Sequence, residues 1–373
     1  MAPDLSVTVF EAGPKALAKV AITGGGRCNL TNSFEGIQDL REAYPRGHQV
    51  MKRALKVFSQ EDTCRWFSTQ GVPLTLQEDH CWFPASQDAM DIVRCLLRSM
   101  KGADLRLRTK VESIKPGFEV NGEAFDTVVV TSGGAPKGLP FLDGLGLEII
   151  PPVPSLFTFT IPDPGLRSLM GLVVPAGLSI PGTAYKSSGP LLITDWGLSG
   201  PATLKLSSYA ARYLADNQYK TTIAVSWMQQ NEEEVKQLLV ATASQNPQKL
   251  VRSTHGSLPT RLWEYLTTRA GVRENQRWAE MGSKGINRLT ATLICDNYPL
   301  IGKSKFREEF VTAGGVALSG INLSTLESRQ YPGLFFAGEV LDIDAITGGF
   351  NLQAAWSTGY VCAQSILKAY GRI

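Results

Sequence analysis

Residues 333–359 read GLFFAGEVLDIDAITGGFNLQAAWSTG and join a short strand to a helix. The apolar run 334–337 is typical of a buried strand, and Gly348 and Gly349 precede the helix-compatible segment 350–364. Glycines let backbone N–H groups approach a flat ligand, and a helix N-terminus adds free donors and partial positive charge. This arrangement suits the anionic pyrimidine edge of a reduced flavin. An ordinary turn before a surface helix explains the segment equally well.

A second glycine-rich segment, TGGGRCNLTN, occupies residues 23–32. Three successive glycines allow the backbone to pass close to a phosphate or a ring, and Arg27 can pair with an anion. Asn29, Thr31 and Asn32 can hydrogen-bond a polar ligand edge. Loops this rich in glycine and polar residues commonly carry function, which favours ligand binding over a surface loop without a ligand.

Three predicted strands end at residues suited to a ligand. The strand over 6–10 ends at Glu11, the run FDTVVV (125–130) leads to Gly133 and Gly134, and the run 334–337 leads to Gly338. In open α/β sheets, ligands bind at the carboxyl ends of the strands. We therefore expect these residues to line one cofactor site.

The order of predicted elements indicates an α/β protein with an insertion. Residues 155–223 read as short strands between proline and glycine turns, with helices predicted at 232–242 and 258–269, whereas 289–294 reads as a strand. The sequence thus predicts a discontinuous α/β domain (1–150 plus 306–373), a β-barrel-like insertion (151–227 plus 283–305) and a small helical lobe (228–282). Prolines at 151, 152 and 154 mark the first boundary.

Local signals predict further elements in the first 150 residues. Ser59 with Asp62 is typical of a helix N-cap and its first-turn acid, and Ser86 is predicted to cap a helix over 88–100. Residues 105–114 and 119–130 alternate as strands.

Composition limits the class of protein and its partners. The 373 residues are 43% hydrophobic and 19% charged, with a mean hydropathy of −0.05, as in a folded globular protein of two or three domains. The net charge of +3 comes from scattered residues and gives no electrostatic case for nucleic acid or an anionic membrane. The expected partner is a small-molecule substrate.

The cysteines and histidines indicate neither a disulfide framework nor a metal site. Six cysteines include no CxxC pair, and three histidines lie far apart in the sequence. No segment resembles a secretion signal or a membrane span. We expect a cytoplasmic protein with reduced thiols and no bound metal.

Four long motifs together resemble one known family. They are TGGGRCNLTN, GPLLITDWGLSGPA, VTAGGVALSGIN and the segment quoted first, and their order resembles that of bacterial flavoproteins identified as NAD(P)/FAD-dependent oxidoreductases of the BaiN-like family. The resemblance runs from about residue 6 to the C-terminus. It implies a Rossmann-like, two-dinucleotide-binding FAD domain that is discontinuous in sequence.

The resemblance also implies roles for individual residues. Glu11 would contact the adenosine ribose, and Val111 would contact the adenine. The glycine loop, residues 24–32, would lie along the pyrophosphate and the ribityl chain. The residues expected to bind FAD are Glu11, Lys19, Gly24, Gly25, Gly26, Arg27, Cys28, Asn29, Val111, Gly133, Gly134, Gly338, Glu339, Gly348, Gly349, Phe350, Asn351 and Leu352.

One departure from the family concerns the amino terminus. Dinucleotide-binding folds begin with a strand and a GxGxxG turn, and the acidic ribose ligand follows roughly 20 residues later. Here the acidic residue is already Glu11, so the first strand and the turn are absent from this sequence. We expect a truncated chain in which residues 1–4 are the tail of the first helix, and the alternative is that another element takes the place of the missing strand and turn. The segment after Gly134 is also short for the family.

Several reactive side chains in these motifs have alternative roles. Cys28 lacks a nearby partner cysteine, which favours packing over redox chemistry. Glu339 is expected to contact the flavin rather than act as a general base. Asp342 and Asp344 are expected to be loop or capping residues, since no third metal ligand is evident.

The leading hypothesis is a flavin-dependent oxidoreductase that transfers hydride to a small organic substrate with NAD(P)H as donor. An FAD amine oxidase that releases peroxide is the alternative within the same class. A catalytically silent binding protein is the rival from another class, because the dinucleotide-binding turn is missing. No catalytic side chain is identified from the sequence.

Overall fold

A computed structural model describes residues 5–135, 137–253, 256–303 and 311–372. The chain divides into two units, Met1–Val153 with Val311–Ile373, and Pro154–Phe310. Predictions made for residues 1–4, for His255 and for 306–310 lie outside the described residues. The further division of the insertion into two lobes stays a prediction.

The α-helices of the described ranges are α1 (Ala18–Gly26), α2 (Leu40–Ala43), α3 (His48–Val57), α4 (Gln60–Thr69), α5 (Ala89–Ser99), α6 (Pro164–Arg167), α7 (Gly200–Tyr209), α8 (Ala211–Asp216), α9 (Glu232–Gln245), α10 (Thr260–Arg269), α11 (Gly282–Ile294) and α12 (Phe350–Ala369). Short 3-10 helices cover Pro140–Leu145, Val251–Ser253, Trp278–Glu280, Leu318–Gly320 and Gly338–Val340.

The strands of the same ranges are β1 (Thr8–Phe10), β2 (Thr31–Asn32), β3 (Leu74–Leu76), β4 (Cys81–Pro84), β5 (Asp104–Arg106), β6 (Ile114–Lys115), β7 (Glu119–Val120), β8 (Glu123–Ala124), β9 (Val128–Val130), β10 (Ile149–Ser155), β11 (Phe159–Thr160), β12 (Val173–Ser179), β13 (Lys186–Ile193), β14 (Gly197–Ser199), β15 (Thr221–Ser226), β16 (Asp296–Leu300), β17 (Gly302–Lys303), β18 (Val311–Val316) and β19 (Leu334–Phe336).

Parallel strand pairs organise the first unit. Strand β1 pairs with β5, with Val9 opposite Leu105, and β9 pairs with β19, with Val129 opposite Phe335. Strand β10 pairs with β18, and β2, β4 and β3 form a small antiparallel sheet. Parallel strands need crossover connections, so these pairs require the helices between them. The predicted α/β class is confirmed.

A buried cluster fixes the glycine-rich segment to neighbouring helices. Cys28 and Leu30 are fully buried and pack with Phe67 of α4 and Ile92 of α5. Helix α4 begins at the predicted N-cap Ser59, and the structure adds a capping box in which Ser59 and Asp62 each bind the other's backbone N–H. The segment is therefore held by packing before any ligand is considered.

The second unit is built on a seven-stranded antiparallel sheet in the order β16-β15-β12-β13-β14-β11-β17. Along β12 every second side chain is buried, the period of a strand with one face in a core. That core also takes Trp227, which follows β15, and side chains from the helices, among them Trp263, Leu266 and Leu293.

A buried polar network joins α10 to β16 in this unit. The Asp296 carboxylate accepts hydrogen bonds from the Tyr298 hydroxyl, from Trp227 Nε1 at 3.1 Å and from Arg269 Nε at 2.5 Å. Burial raises the pKa of Asp296, whereas these donors act in the opposite direction. Because a buried carboxylate is costly unless paired, the network is a stability element.

The strand predicted at 289–294 is wrong. Those residues belong to α11, and the strand begins afterwards at Asp296. Ile286, Leu289 and Leu293 are buried at spacings of three and four, so the apolar pattern matches a helix face that packs into the core. The β-branched residues misled the prediction, because tertiary packing outweighs their intrinsic preference.

Two other local predictions need correction. Asp88, rather than Ser86, caps α5, and the Ser86 hydroxyl instead binds Asp91 at 2.5 Å. The strands predicted over 105–114 and 119–130 are broken into short pieces. Left-handed backbone at Arg108 (φ 55°) and Asn121 (φ 49°) interrupts the extended chain.

Candidate functional site

The two glycine motifs meet at the start of α12. Gly349 has φ 86°, and a Cβ placed on it would stand 2.6 Å from the carbonyl oxygen of Thr31 and 2.7 Å from Oδ1 of Asn29. Only glycine combines that conformation with so close an approach. The contact between Gly349 and the residues 29–31 is called the glycine junction below.

Hydrogen bonds fasten this junction on both sides. Asn32 Nδ2 donates to the Gly348 carbonyl at 3.0 Å, and the Thr31 hydroxyl donates to Gln353 Oε1 at 2.5 Å. Trp356 Nε1 donates to the Leu30 carbonyl at 3.0 Å. Thr31 and Asn32, expected to bind a ligand edge, thus bind the chain itself and set the geometry of the junction.

The first turn of α12 presents free backbone donors. No side chain of the described residues caps this helix, and its first turn contains no acidic residue. Its first backbone hydrogen bond runs from Gln353 N to Gly349 O at 3.0 Å. Within the described ranges, the amides of Phe350, Asn351 and Leu352 have no recorded acceptor. The helix therefore offers donors and a partial positive charge at the junction.

Asn29 provides a hydrogen-bond acceptor beside these donors. Its Oδ1 is buried and has no hydrogen-bond partner among the described residues. The rest of its side chain is engaged by a hydrogen bond to Cys81, which opposes the rise that burial causes in the pKa of that thiol. Because a buried acceptor without a donor is costly, Oδ1 is suited to a ligand that brings an N–H or O–H.

The glycine loop bends away from helical geometry. Gly24, Gly25 and Gly26 all have left-handed φ values between 58° and 83°, and Cβ atoms on the last two would face open space. A ligand can therefore approach this backbone closely. Arg27 lies over the Phe83 ring at 4.7 Å, which holds its guanidinium beside the loop.

Cys28 is a packed thiol. It is fully buried, and burial raises its pKa to about 11, although a hydrogen bond with Thr23 acts in the opposite direction. At neutral pH it is protonated and poorly nucleophilic. The predicted preference for packing over redox chemistry agrees with this environment.

A second group of predicted residues gathers around Glu339. Its Oε1 accepts the Thr312 N–H at 2.8 Å, and its Oε2 lies 3.9 Å from Nζ of Lys19. A Cβ on Gly134 would come within 2.6 Å of Oε1, and one on Gly133 would lie 3.8 Å from the Lys19 ammonium. The structure thus brings together Lys19, Gly133, Gly134 and Glu339, of which the two glycines belong to the predicted strand ends.

Gly338, Glu11 and Val111 have local partners. The Gly338 N–H donates to the Thr358 hydroxyl at 2.9 Å, which fixes the end of β19 to α12. Oε1 of Glu11 accepts the Gly13 N–H at 2.6 Å, and its carbonyl accepts the Thr109 N–H at 2.9 Å. Val111 follows in the same half-buried segment. Their cofactor roles stay predictions.

Three residues at the start of α12 have supporting contacts. Phe350 packs edge-on against Phe34, with ring centroids 5.1 Å apart, and Leu352 packs on the cluster that contains Cys28. The Asn351 amide accepts the Ala345 N–H at 2.9 Å and donates to its carbonyl at 3.0 Å. Their side chains hold the helix in place, so only their backbone amides remain for a ligand.

Sequence reasoning missed the residues that brace this region. Arg46 pairs with Asp344, whose side chain is fully buried, and the Tyr44 hydroxyl donates to the Phe350 carbonyl at 2.9 Å. Asp344 thus has a structural ion pair, as its expected loop role allows. Nothing in the local sequence around Arg46 indicates a partner so far along the chain.

Two general features complete the description. In the ranges that the structure describes, no cluster of three or more histidine, cysteine, aspartate or glutamate side chains is arranged to hold a metal ion. None of the helices in those ranges combines the length and apolarity that crossing a bilayer requires.

The parallel strand pairs and the helices that connect them define a Rossmann-type α/β protein. The chain belongs to the HI0933-like family, because residues 1–365 match the family model described as the HI0933-like protein Rossmann domain. The resemblance to BaiN-like proteins is also confirmed. A 3-dehydro-bile acid delta(4,6)-reductase of Clostridium scindens is 24% identical, with 97% of this chain and 93% of that protein covered.

Two other relatives are more similar in sequence. A ribosomal RNA dihydrouridine synthase of Haemophilus influenzae is 30% identical, covering 97% of this chain and 93% of that protein. The Escherichia coli protein of the same description is 29% identical, covering 97% and 92%. Among solved structures, a mutated FrdA chain of Escherichia coli quinol fumarate reductase aligns with 99% of this chain at 14% identity and a TM-score of 0.45, and the chain spans 66% of its length.

Proposed function

We propose that this chain is an FAD-dependent reductase that saturates a carbon–carbon double bond conjugated with a carbonyl group, and that its substrate is a uracil base of ribosomal RNA. The relatives named above support both parts of the proposal. Making dihydrouridine saturates the uracil C5=C6 bond, which is conjugated with the C4 carbonyl. In a 3-dehydro-bile acid, delta(4,6) double bonds are conjugated with a 3-keto group. One chemistry, addition of a hydride and a proton, covers both reactions.

The observation that supports FAD as the cofactor is that hydrogen-bond donors and an acceptor lie together at the glycine junction. The pyrimidine edge of a flavin has two carbonyl oxygens and, between them, one N–H group. The junction offers backbone N–H donors from the first turn of α12 and one buried acceptor, Oδ1 of Asn29. Gly349 leaves no side chain in the way. The residues present therefore fit FAD.

Each part of the chain has a definite task in this proposal. Bound FAD supplies the hydride, and NAD(P)H is the proposed source of electrons. The N-terminus of α12 stabilises negative charge at the pyrimidine edge, and the open backbone of Gly25 and Gly26 admits the phosphate chain. Lys19 adds a positive charge to the residues gathered around Glu339. Its ammonium is largely exposed and available to an anion.

The choice of RNA departs from the earlier expectation of a small-molecule substrate. No observation tests that expectation. That expectation rested on the net charge of +3 for the whole chain. The insertion, residues 154–310, has 17 basic and 12 acidic residues, a formal charge of +5, whereas the rest of the chain has 20 and 22, a charge of −2. The excess of positive charge in one unit favours a polyanionic substrate.

The proposal is tested with purified protein loaded with FAD. Under anaerobic conditions NADPH should bleach the flavin absorbance, and ribosomal RNA that lacks dihydrouridine should restore it, with dihydrouridine detected by mass spectrometry of the nucleosides. Bleaching with no dihydrouridine formed would reject the RNA substrate. Peroxide release from a small amine without NADPH bleaching would favour the amine oxidase, and protein that FAD neither colours nor stabilises would favour a silent binding protein.

A further inference from the structure

The second unit contains a groove between two of its helices. The groove has a volume of about 430 Å³, within the range of small-ligand sites. Lys236, Val240 and Ser244 line one wall from a single face of α9, and Ser283 and Asn287 line the other from α11. It is called the α9–α11 groove below.

The N-terminus of α11 opens into this groove. Gly282, with φ 56°, and Ser283 both line it, and a Cβ on Gly282 would meet nothing within 4 Å. Among the residues that the structure describes, no side chain caps α11, and its first turn contains no acidic residue. In the described chain the amides of Gly282, Ser283 and Lys284 have no recorded acceptor. An uncapped terminus of this kind favours an anion.

A separate observation points to a ligand in the same place. Trp278 lines the groove and is only 1% exposed, yet its indole Nε1 has no hydrogen-bond partner among the described residues. Indole N–H is a donor only, so it needs an acceptor oxygen or nitrogen. Buried tryptophans normally find such a partner. A ligand with acceptor oxygens would satisfy both Trp278 and the start of α11.

The charges around the groove favour a phosphate. Lys236 lies in one wall, and Lys284 and Arg288 are exposed on α11 beside the lining positions 283 and 287. Acidic groups are present as well: Glu280 is paired with Arg273 at 3.2 Å, and Glu232 and Glu233 lie one turn before Lys236 on α9. The α9 wall of the groove thus contributes one cation, and α11 contributes two beside the lining positions.

We propose that the α9–α11 groove binds a phosphodiester group of the RNA strand, with the Ser283 end of α11, Trp278 and Lys236 as its ligands. The choice of RNA over other polyanions rests on the proposed function, whereas the site itself rests on the groove. Phosphate contacts position a nucleic acid without reading its sequence, so the groove would set where the strand lies rather than which base reacts.

Binding of a single-stranded oligouridylate, followed by fluorescence anisotropy without NADPH, tests the site. Ser283→Asp places a carboxylate where it stabilises the helix but repels phosphate, so affinity should fall about tenfold while thermal stability is kept. Lys236→Gln should lower the slope of log K against log salt by about one unit. Trp278→Phe, which removes the N–H donor together with part of the buried ring, should weaken binding about threefold, and thermal unfolding of this variant reports the packing loss separately.

Matched substitutions elsewhere in the unit serve as controls. Gln218→Glu adds a negative charge at an exposed turn, and Lys186→Gln removes an exposed positive charge. Both should bind oligouridylate as the wild type does. Equal weakening by Gln218→Glu and Ser283→Asp would overturn the proposal, because the effect would then be one of net charge. Equally strong competition by polyglutamate would also overturn it.

The outcome separates this inference from the proposed function. If the groove variants lose oligouridylate affinity but the FAD-loaded protein forms no dihydrouridine, the phosphate site stands and the proposed reaction fails. If dihydrouridine is formed and Ser283→Asp binds oligouridylate normally, the reaction stands and the phosphate site is rejected.

Discussion

Asn29 and Gly349 lie in direct apposition although they come from opposite ends of the chain. A Cβ on Gly349 would stand 2.7 Å from the Asn29 Oδ1, the buried acceptor that lacks a donor among the described residues. The lack of a side chain at Gly349 and the unsatisfied Oδ1 of Asn29 thus belong to the same contact. The close approach of this backbone requires glycine at 349. A buried acceptor without a donor costs free energy, and the proposed flavin edge would supply the missing N–H.

Gly349→Ala should destabilise the protein by more than about 2 kcal/mol. The added methyl group meets the Thr31 backbone at 2.6 Å, and alanine is strained at a φ of 86°. Gly359→Ala is the matched control, because it lies inside α12 and its Cβ would meet nothing within 4 Å. That variant should gain about 0.5–1 kcal/mol. Denaturant unfolding measures both, and equal effects would contradict the tight junction.

The buried Cys28 thiol predicts a loss of stability at alkaline pH. Its folded pKa is raised to about 11 from 9.0, so the unfolded chain loses this proton first as pH rises. The contribution is complete below about pH 9 and is lost between about pH 9 and 11. Unfolding measured across that range should show a shallower decline for Cys28→Ala than for wild type. In alkylation at pH 8, exposed Cys295 should react well before Cys28, and equal rates would refute the burial argument.

Removing Arg269 should cost about 2–3 kcal/mol of stability. Arg269→Met leaves the buried Asp296 carboxylate without its cation, and this cost is lowered because the Arg269 side chain is 30% exposed. Adding Asp296→Asn to that variant removes the charge and should recover part of the loss. A double-mutant cycle by denaturant unfolding measures the coupling. Strictly additive effects would show that the ion pair contributes no coupling energy.

Lys19→Met should lower the affinity for FAD with little change in the free energy of unfolding. The Lys19–Glu339 pair is 3.9 Å long and the lysine is largely exposed, so its loss should change stability by less than about 0.5 kcal/mol. FAD affinity should nevertheless fall and become less sensitive to salt, since a positive charge near the dinucleotide is removed. Lys56→Met, at an exposed lysine of α3, is the control. If both variants bind FAD alike, Lys19 has no part in the site.

The sequence predicts the parts of the site better than their assembly. Glycines before a helix, strand ends and the Ser59 N-cap are local signals, and the structure contains each of them. The contact of Thr31 with Gly349 depends on how distant segments pack, and the sequence around a glycine does not indicate which residue will lie against it. Nor does the sequence around Asn29 show that one side-chain oxygen is left without a donor.

Two other features escape a local interpretation for physical reasons. Residues 289–294 carry β-branched side chains, yet core packing selects the helix period of three and four. Net charge averaged over the chain conceals opposite charges in the two units, because the unit boundary is set by the fold. The expectation that nucleic acid is not a partner therefore rested on an average over both units, and it stays a prediction.

FAD titration of the Asn29→Ala protein tests the central claim most directly. The substitution removes no bond at Oδ1 and only the hydrogen bond of the Asn29 side chain to Cys81. The free energy of unfolding without FAD should therefore fall by only about 1 kcal/mol, while FAD affinity falls about tenfold. Asn32→Ala, which loses its bond to the Gly348 carbonyl, should lower both quantities. An Asn29→Ala protein that binds FAD as tightly as wild type would contradict the account of the glycine junction as a flavin site.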